Sequence, residues 1–365
     1  MSKFQLLLLL GLGMVIVLAV LIFAGYLGGT RPGELPTGGP VTIWGPFGSG
    51  DMNQVIDQFN LQHPKVAEIT YVEKDPRRFE RDLVDALARG AGPDVLFFPE
   101  DLLGRQSDKL MPVPFGNLSE RAFRDAYVDG ANYFVSSAGA YGLPSVVDPL
   151  VLYYNKAILS GGGFAKTPTY WDELIPIAKK LSQKDAKGNF IQSAIALGAY
   201  GNISHAKEIL ASLFLQVGEP ISAPPSAGQE SSGNFAITLG SQTAQNISPA
   251  DSALRFYADF GNPSRETHSW SSSLPNSRDV FLAGKLAFYI GYASELDPLR
   301  AANPHLDFDV ALLPQIRPPQ GSAGIKAEFA KIYSLSVLKT APNLGTAFTL
   351  AAFMNDPQFN KFLAG

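Results

Sequence analysis

His63, His205, His268 and His305 are the chain's entire stock of imidazole, and no two of them stand at His-x-x-x-His spacing. A zinc site built on one helix face therefore has no ligand pair to start from. The sequence has no cysteine, which removes thiolate metal sites, cysteine nucleophiles and disulfides together. A serine hydrolase elbow needs Gly-x-Ser-x-Gly, and no such string occurs. Gly284–Lys285 is followed by Leu286 and lacks the upstream glycine of a phosphate-binding loop. Gly45, Gly48 and Gly50 follow a predicted strand, but in the order Gly-x-x-Gly-x-Gly, the reverse of the dinucleotide fingerprint. Asp307 and Asp309 read as a solvated strand end. Glu100 and Asp101 are adjacent, whereas a glycosidase pair must straddle one bond at about 5–9 Å. Catalysis would need groups that only folding brings together.

A different set of side chains gathers where predicted strands end. It comprises Trp44, Phe47 and Asp51; Phe98, Glu100 and Asp101; Asp148; Tyr200 and Asn202; and Tyr292, beside Ser294. Trp270 lies in a separate loop, HSWSSS. In open α/β sheets ligands sit beyond the carboxyl ends of strands. Flat aromatic faces next to carboxylates and amides suit a sugar, which offers apolar C–H faces and a ring of hydroxyls. Core packing is the competing role for Trp44, Phe98 and Trp171, since large aromatics are mostly buried. Trp171, inside TYWDEL, is expected in the core; Trp44 is open between the two roles. Tyr153 and Tyr154 alternate on one strand, so at most one of them faces a ligand.

Strand and helix must alternate to place these residues. Val41–Gly45 reads as a strand, and Val55, Ile56 and Phe59 mark a helix that stops at His63–Pro64. Ala67–Val72 is a second strand. Phe79, Leu83, Ala86 and Leu87 mark a helix ended by Gly90, and Asp94–Phe98 is an apolar run expected of a strand covered on both faces. This βαβαβ order argues a parallel sheet between helical layers. The same grammar continues with strands at Leu150–Tyr154, Ala194–Leu197, Leu286–Ile290, Phe308–Leu312 and Tyr333–Leu338. Helices are predicted at Thr169–Leu181, His205–Val217 and Asp251–Phe260, with a surface excursion at Pro220–Gly240. At 365 residues, two α/β lobes are expected. The 29 Lys and Arg are dispersed and the net charge is −4, so no nucleic-acid partner is indicated.

The amino terminus sets the location. Phe4 to Thr30 carries no charge and Leu6–Ala24 is almost wholly apolar, enough to cross a bilayer core of about 30 Å. Residues 1–27 read as an uncleaved, single-pass signal anchor, with a cleaved signal peptide as the alternative. Lys3 and the terminal amine precede it, which puts the amino terminus inside and the body outside the cytoplasm. Residues 28–40, rich in Gly and Pro, form a linker of about 20 Å reach.

YGLPSVVDPLVLYYNK (141–156) followed by TPTYWDEL (167–174) resembles the extracellular solute-binding proteins of ABC importers, in their sugar-binding, maltose-binding-protein-like group. The resemblance extends over VTIWG (41–45), GPDVLFFP (92–99), FLAGKLAFYIG (281–291) and FDVALLP (308–314), and so over most of residues 41–365. It implies a two-lobed periplasmic-binding-protein fold of the type II kind. Lobe one would hold 41–146 and 314–365, lobe two 147–313, and the solute would be clamped in the cleft. Strands would cross near Pro144–Asp148 and return near Val310–Pro314. By position, Phe98 and Asp101 match a sugar-contacting aromatic and acid, Asp148 the hinge acid, Tyr292 an aromatic platform, and Gly45–Asp51 the first polar loop. Family members usually continue beyond a tail such as FMNDPQFNKFLAG with helices that complete lobe two.

The resemblance further implies a monomer, without cofactor or resident metal, that captures a small solute and delivers it to an ABC permease. A surface sensor or scaffold reusing the fold is the alternative, followed by an anchored glycan-processing enzyme.

Overall fold

The structure, a computed structural model, describes residues 39–62, 68–115, 119–219, 221–223, 236–240 and 248–355. The anchor, most of the linker, the His63–Pro64 stop and most of the Pro220–Gly240 excursion lie outside the described residues. Among the described residues no helix is long and apolar enough to cross a membrane.

The elements that carry the argument begin with β1 (Val41–Gly45), α1 (Ser49–Gln62), β2 (Ile69–Glu73), α2 (Phe79–Ala88), β3 (Val95–Pro99) and the long β4 (Leu143–Asn155). They continue with α3 (Leu174–Leu181), β5 (Phe190–Ile195), α4 (Ala206–Gln216), α5 (Pro249–Asp259) and α6 (Ser277–Leu282). Last come β6 (Leu286–Tyr292), β7 (Phe308–Leu312), β8 (Ala330–Leu338) and α7 (Leu344–Met354). The described residues form two compact units: the second lies within Val147–Lys331, and the first takes the described residues on either side of it. β4 carries the chain out of the first unit and β8 brings it back.

In the first unit β1 lies between β2 and β3, parallel to both, and β8 runs antiparallel to β3. The period of two then sorts side chains between two helical layers. Val95 and Phe97 pack with Met52, Val55 and Phe59 of α1 and with Leu350 and Met354 of α7. Leu96 and Phe98 pack with Phe79, Leu83 and Ala86 of α2. All five residues of β3 are buried, as its unbroken apolar sequence requires of a strand covered on both sides.

In the second unit β6 runs antiparallel to β4 and parallel to β5, and β7 pairs with the other edge of β4. Two expectations are corrected here. The helix predicted over Thr169–Leu181 begins only at Leu174, after a 3₁₀ turn at Trp171–Glu173. Tyr170 is extended because it bridges Gln315, and Gln315 N–H donates to Thr169 O while Trp171 N–H donates to Gln315 O.

The return to the first unit lies at Lys331–Ile332, not near Val310–Pro314. Residues 313–331 stay with the second unit because Gln216, buried at the end of α4, holds them. Its Nε2 donates to Pro314 O (3.2 Å) and Ala327 O (2.9 Å), and its Oε1 accepts from Trp171 Nε1 (2.7 Å). Phe329 completes the attachment through Leu150 N–H and Ser212 Oγ.

Candidate functional site

Parallel strands end on the same edge of their sheet, so the loops after β1 and β3 are neighbours. After β1 the backbone passes close under an aromatic: a Cβ on Gly45 would fall 2.7 Å from the Phe97 ring and 2.8 Å from Tyr71 Oη. Tyr71 Oη then holds Phe47 at both backbone groups, accepting from its N–H (3.0 Å) and donating to its carbonyl (2.9 Å). The half-buried Phe47 ring stands edge-on to Phe97 and Tyr333, 4.9 and 5.5 Å between centroids. Glu73 accepts from Ser49 N–H and Oγ at the first turn of α1, leaving Asp51 exposed in that turn. Glu100 Oε2 accepts from Ile332 N–H at 2.7 Å and so ties β8 to the end of β3, while Asp101 is exposed beside it.

The other predicted aromatics of this unit are packing residues. Phe98 is 0% exposed and enclosed by the α2 side of the core, so it has no face to offer a ligand. That corrects its reading as a platform: β3 points it opposite to Phe97, into a layer closed by helix. Trp44 is buried in the same layer, and Lys74 Nζ lies 3.6 Å from its ring centroid.

In the second unit β5 and β6 end side by side, which brings the Tyr200–His205 loop to the Tyr292–Glu295 turn. Asp148, at the start of this unit's part of β4, accepts from Ser294 N–H (3.0 Å) and Ser294 Oγ (2.6 Å). Burial pushes the Asp148 carboxyl up; the two Ser294 donors and Lys331 pull against that, and Glu295 adds to it. Tyr292 is buried against the core, its ring edge-on to His205 at 4.7 Å and 5.7 Å from Lys331 Nζ. Tyr200 is 66% exposed and is the open aromatic of this edge.

Asn202 and Trp270 meet each other instead of solvent. The Trp270 indole N–H donates to Asn202 Oδ1 (3.1 Å), and Asn202 Nδ2 donates to Ser271 O and Leu274 O, both 2.9 Å. Trp270 is 0% exposed, so its reading as a ligand aromatic is corrected: the loop folds its ring into the core of the second unit. Trp171 is a core residue as expected, and of the strand pair Tyr153 faces the core while Tyr154 is half-buried.

Two residues of this cluster escaped the reading of the sequence, His205 and Glu295. His205 Nε2 lies 2.6 Å from Glu295 Oε1, and toward an ionised carboxyl the imidazole nitrogen is the donor. Glu295 Oε1 also accepts from Tyr292 N–H (3.1 Å), and Oε2 accepts from Tyr289 Oη (2.7 Å). Burial alone would raise the Glu295 carboxyl; the hydrogen bond and charge of His205, with the Tyr289 and Tyr292 donors, outweigh it and hold the group below its ordinary range.

A carboxyl held low when folded stabilises above its unfolded value and loses that contribution as pH falls through its folded one. Acid-range melting of the protein should therefore steepen below about pH 4.3, and Glu295→Gln should flatten the slope. Melts of both proteins across that range measure it, and equal slopes would remove Glu295 from the account.

Two α/β units joined by two strands, with polar groups at the strand ends, define a binding architecture. Residues 54–364 match the family model described as bacterial extracellular solute-binding protein, and the chain belongs to that family. Solved structures agree in fold. An ABC transporter solute-binding protein of Thermotoga lettingae bound with alpha-D-tagatose is 20% identical with a TM-score of 0.62, over 88% of this chain and 78% of that one. The maltose-maltodextrin binding protein of Alicyclobacillus acidocaldarius is 19% identical with a TM-score of 0.62, again over 88% and 78%. An ABC substrate-binding protein of Listeria monocytogenes in complex with cycloalternan is 16% identical with a TM-score of 0.63, over 88% and 76%.

Proposed function

We propose that this chain is a membrane-anchored receptor on the outer side of the cytoplasmic membrane that captures a sugar or oligosaccharide and delivers it to an ABC importer, acting as a monomer and doing no chemistry on its cargo. Membership of the solute-binding family over residues 54–364 carries the reading. The ligands named for the similar structures, tagatose and cycloalternan among them, support the carbohydrate class. The solute contacts are assigned within each unit: Phe47, Asp51 and Asp101 would serve in the first, and Asp148, Tyr200 and the Tyr292 edge in the second, with Glu100 and Asn202 holding those contacts in place.

Solute favours the closed state by as much as it binds that state better than the open one. The hydrophobic segment 1–27 would anchor the receptor and the 28–40 linker would keep it at high local concentration beside its permease. A thermal-shift screen of the full chain in detergent, against mono- and oligosaccharides, amino acids, polyamines and metal ions, tests the reading. One sugar class is expected to raise the melting temperature selectively. A folded protein that no sugar stabilises would refute capture of sugars and favour a sensor or scaffold.

A further inference from the structure

The turn that carries Ser294 is held from both sides, and the two sides have different chemistry. On one side Ser294 gives both its donors to Asp148. On the other, Glu295 is the meeting point of groups from three elements: it accepts from His205 at the start of α4 and from Tyr289 and Tyr292 of β6, and it is ion-paired with Arg278 of α6, whose Nε lies 3.7 Å from Oε2. The side chains of His205 and Glu295 are only 24% and 18% exposed, so water competes weakly for this pair.

The backbone shows the same constraint. His205 has φ +59°, the only positive φ outside glycine among the described residues. A left-handed backbone conformation of that kind is uncommon for a residue other than glycine and persists where the surroundings over-determine it. Here it lets the chain turn into α4 with the imidazole against the Tyr292 ring and the Glu295 carboxylate. The turn itself has no slack: a Cβ on Gly291 would stand 2.8 Å from Glu295 Oε1 and 2.6 Å from the Tyr289 ring.

We infer that His205 and Glu295 are positioning residues for Asp148: the imidazole–carboxylate pair fixes the 292–295 turn, and the turn, through Ser294, fixes the carboxylate that meets solute. The last clause rests on the proposed solute contact of Asp148; the mechanical link does not. His205 touches neither Asp148 nor the solute, and acts through Glu295 and Ser294. The titratable and charged groups around the pair are Arg278 from α6, Tyr289 from β6, Tyr153 and Asp148 from β4, and Lys331 from β8. Removing the imidazole must release Glu295 on that side, and the turn transmits that change to Ser294.

The test follows the Ser294 amide by NMR in the full chain, ligand-free in detergent, with serine labelled by nitrogen-15 and the resonance assigned through Ser294→Ala. In His205→Ala the amide resonance is expected to move away from its unsubstituted position, because the turn loses the imidazole that holds Glu295. His205→Gln keeps a donor for Glu295 and should return the amide to that position. An amide that stays in place in His205→Ala, or that His205→Gln fails to restore, overturns the inference. The solute reading fails by a separate sign, an Asp148→Ala protein that sugars stabilise as fully as the unsubstituted one. The two failures are thus told apart.

Discussion

Trp270→Ala is expected to destabilise the protein by about 3–5 kcal/mol, the range for removing a fully enclosed large aromatic. Two losses add. The indole is wholly buried in the core of the second unit, so its removal leaves a cavity that neighbouring strands can only partly fill. Its N–H also donates to Asn202 Oδ1, and the amide that loses it still has Nδ2 committed to Ser271 O and Leu274 O, so it is not free to turn toward another donor. An acceptor left in that position bears a desolvation cost. For a unit of this size the melting temperature should fall by roughly 6–20 °C. Trp270→Phe should recover most of the packing and none of the hydrogen bond, and so fall between. Urea unfolding of the three proteins measures the differences. Were the ring instead a sugar platform, alanine would leave stability within about 0.5 kcal/mol and abolish solute binding alone.

That test turns on the kind of residue the sequence reads least well. β3 was legible because a strand covered on both faces must be apolar at every position, and VLFFP is. The alternation that sends Phe97 to one helical layer and Phe98 to the other is equally fixed by local geometry. Which aromatic stays open to a ligand is not a local property. Phe98 and Trp270 follow the same rule of strand ends and loops as Phe47, yet distant helices close over them.

The site's connections have the same character. Asp148 and Ser294 are separated by 146 positions, and His205 and Glu295 by 90, so neither pairing has a spacing to recognise. The end of the second unit was misplaced for the same reason. The strand signal at Phe308–Leu312 was correct, but it is Gln216, 98 and 111 positions away from its partners, that keeps the following segment in that unit. Polar side chains that hold loops by single hydrogen bonds leave no periodic trace.

Asp148→Ala should separate binding from folding by acting on them in opposite directions. At a concentration about 100 times its dissociation constant, a sugar should add about 2.7 kcal/mol to the unsubstituted protein. A hydrogen bond to a charged acceptor is worth about 1.5–3 kcal/mol, so losing it weakens affinity about 10- to 150-fold. At the same sugar concentration the added stability should then drop to roughly 0.3–1.4 kcal/mol. The ligand-free protein should behave otherwise. Burial raises the Asp148 carboxyl, which means the folded state disfavours its charge. Such a group contributes stability below its unfolded value and loses it as pH rises through the folded one. At neutral pH its removal should therefore leave the ligand-free melting temperature unchanged or slightly higher, even though Ser294 loses its acceptor, because Ser294 sits where water can replace it. An unaltered or raised starting temperature with a collapsed sugar-induced shift is a pattern that a folding defect does not produce. A full sugar-induced shift in Asp148→Ala would remove this carboxylate from the site and leave Tyr200 and the Tyr292 edge as the second unit's contribution.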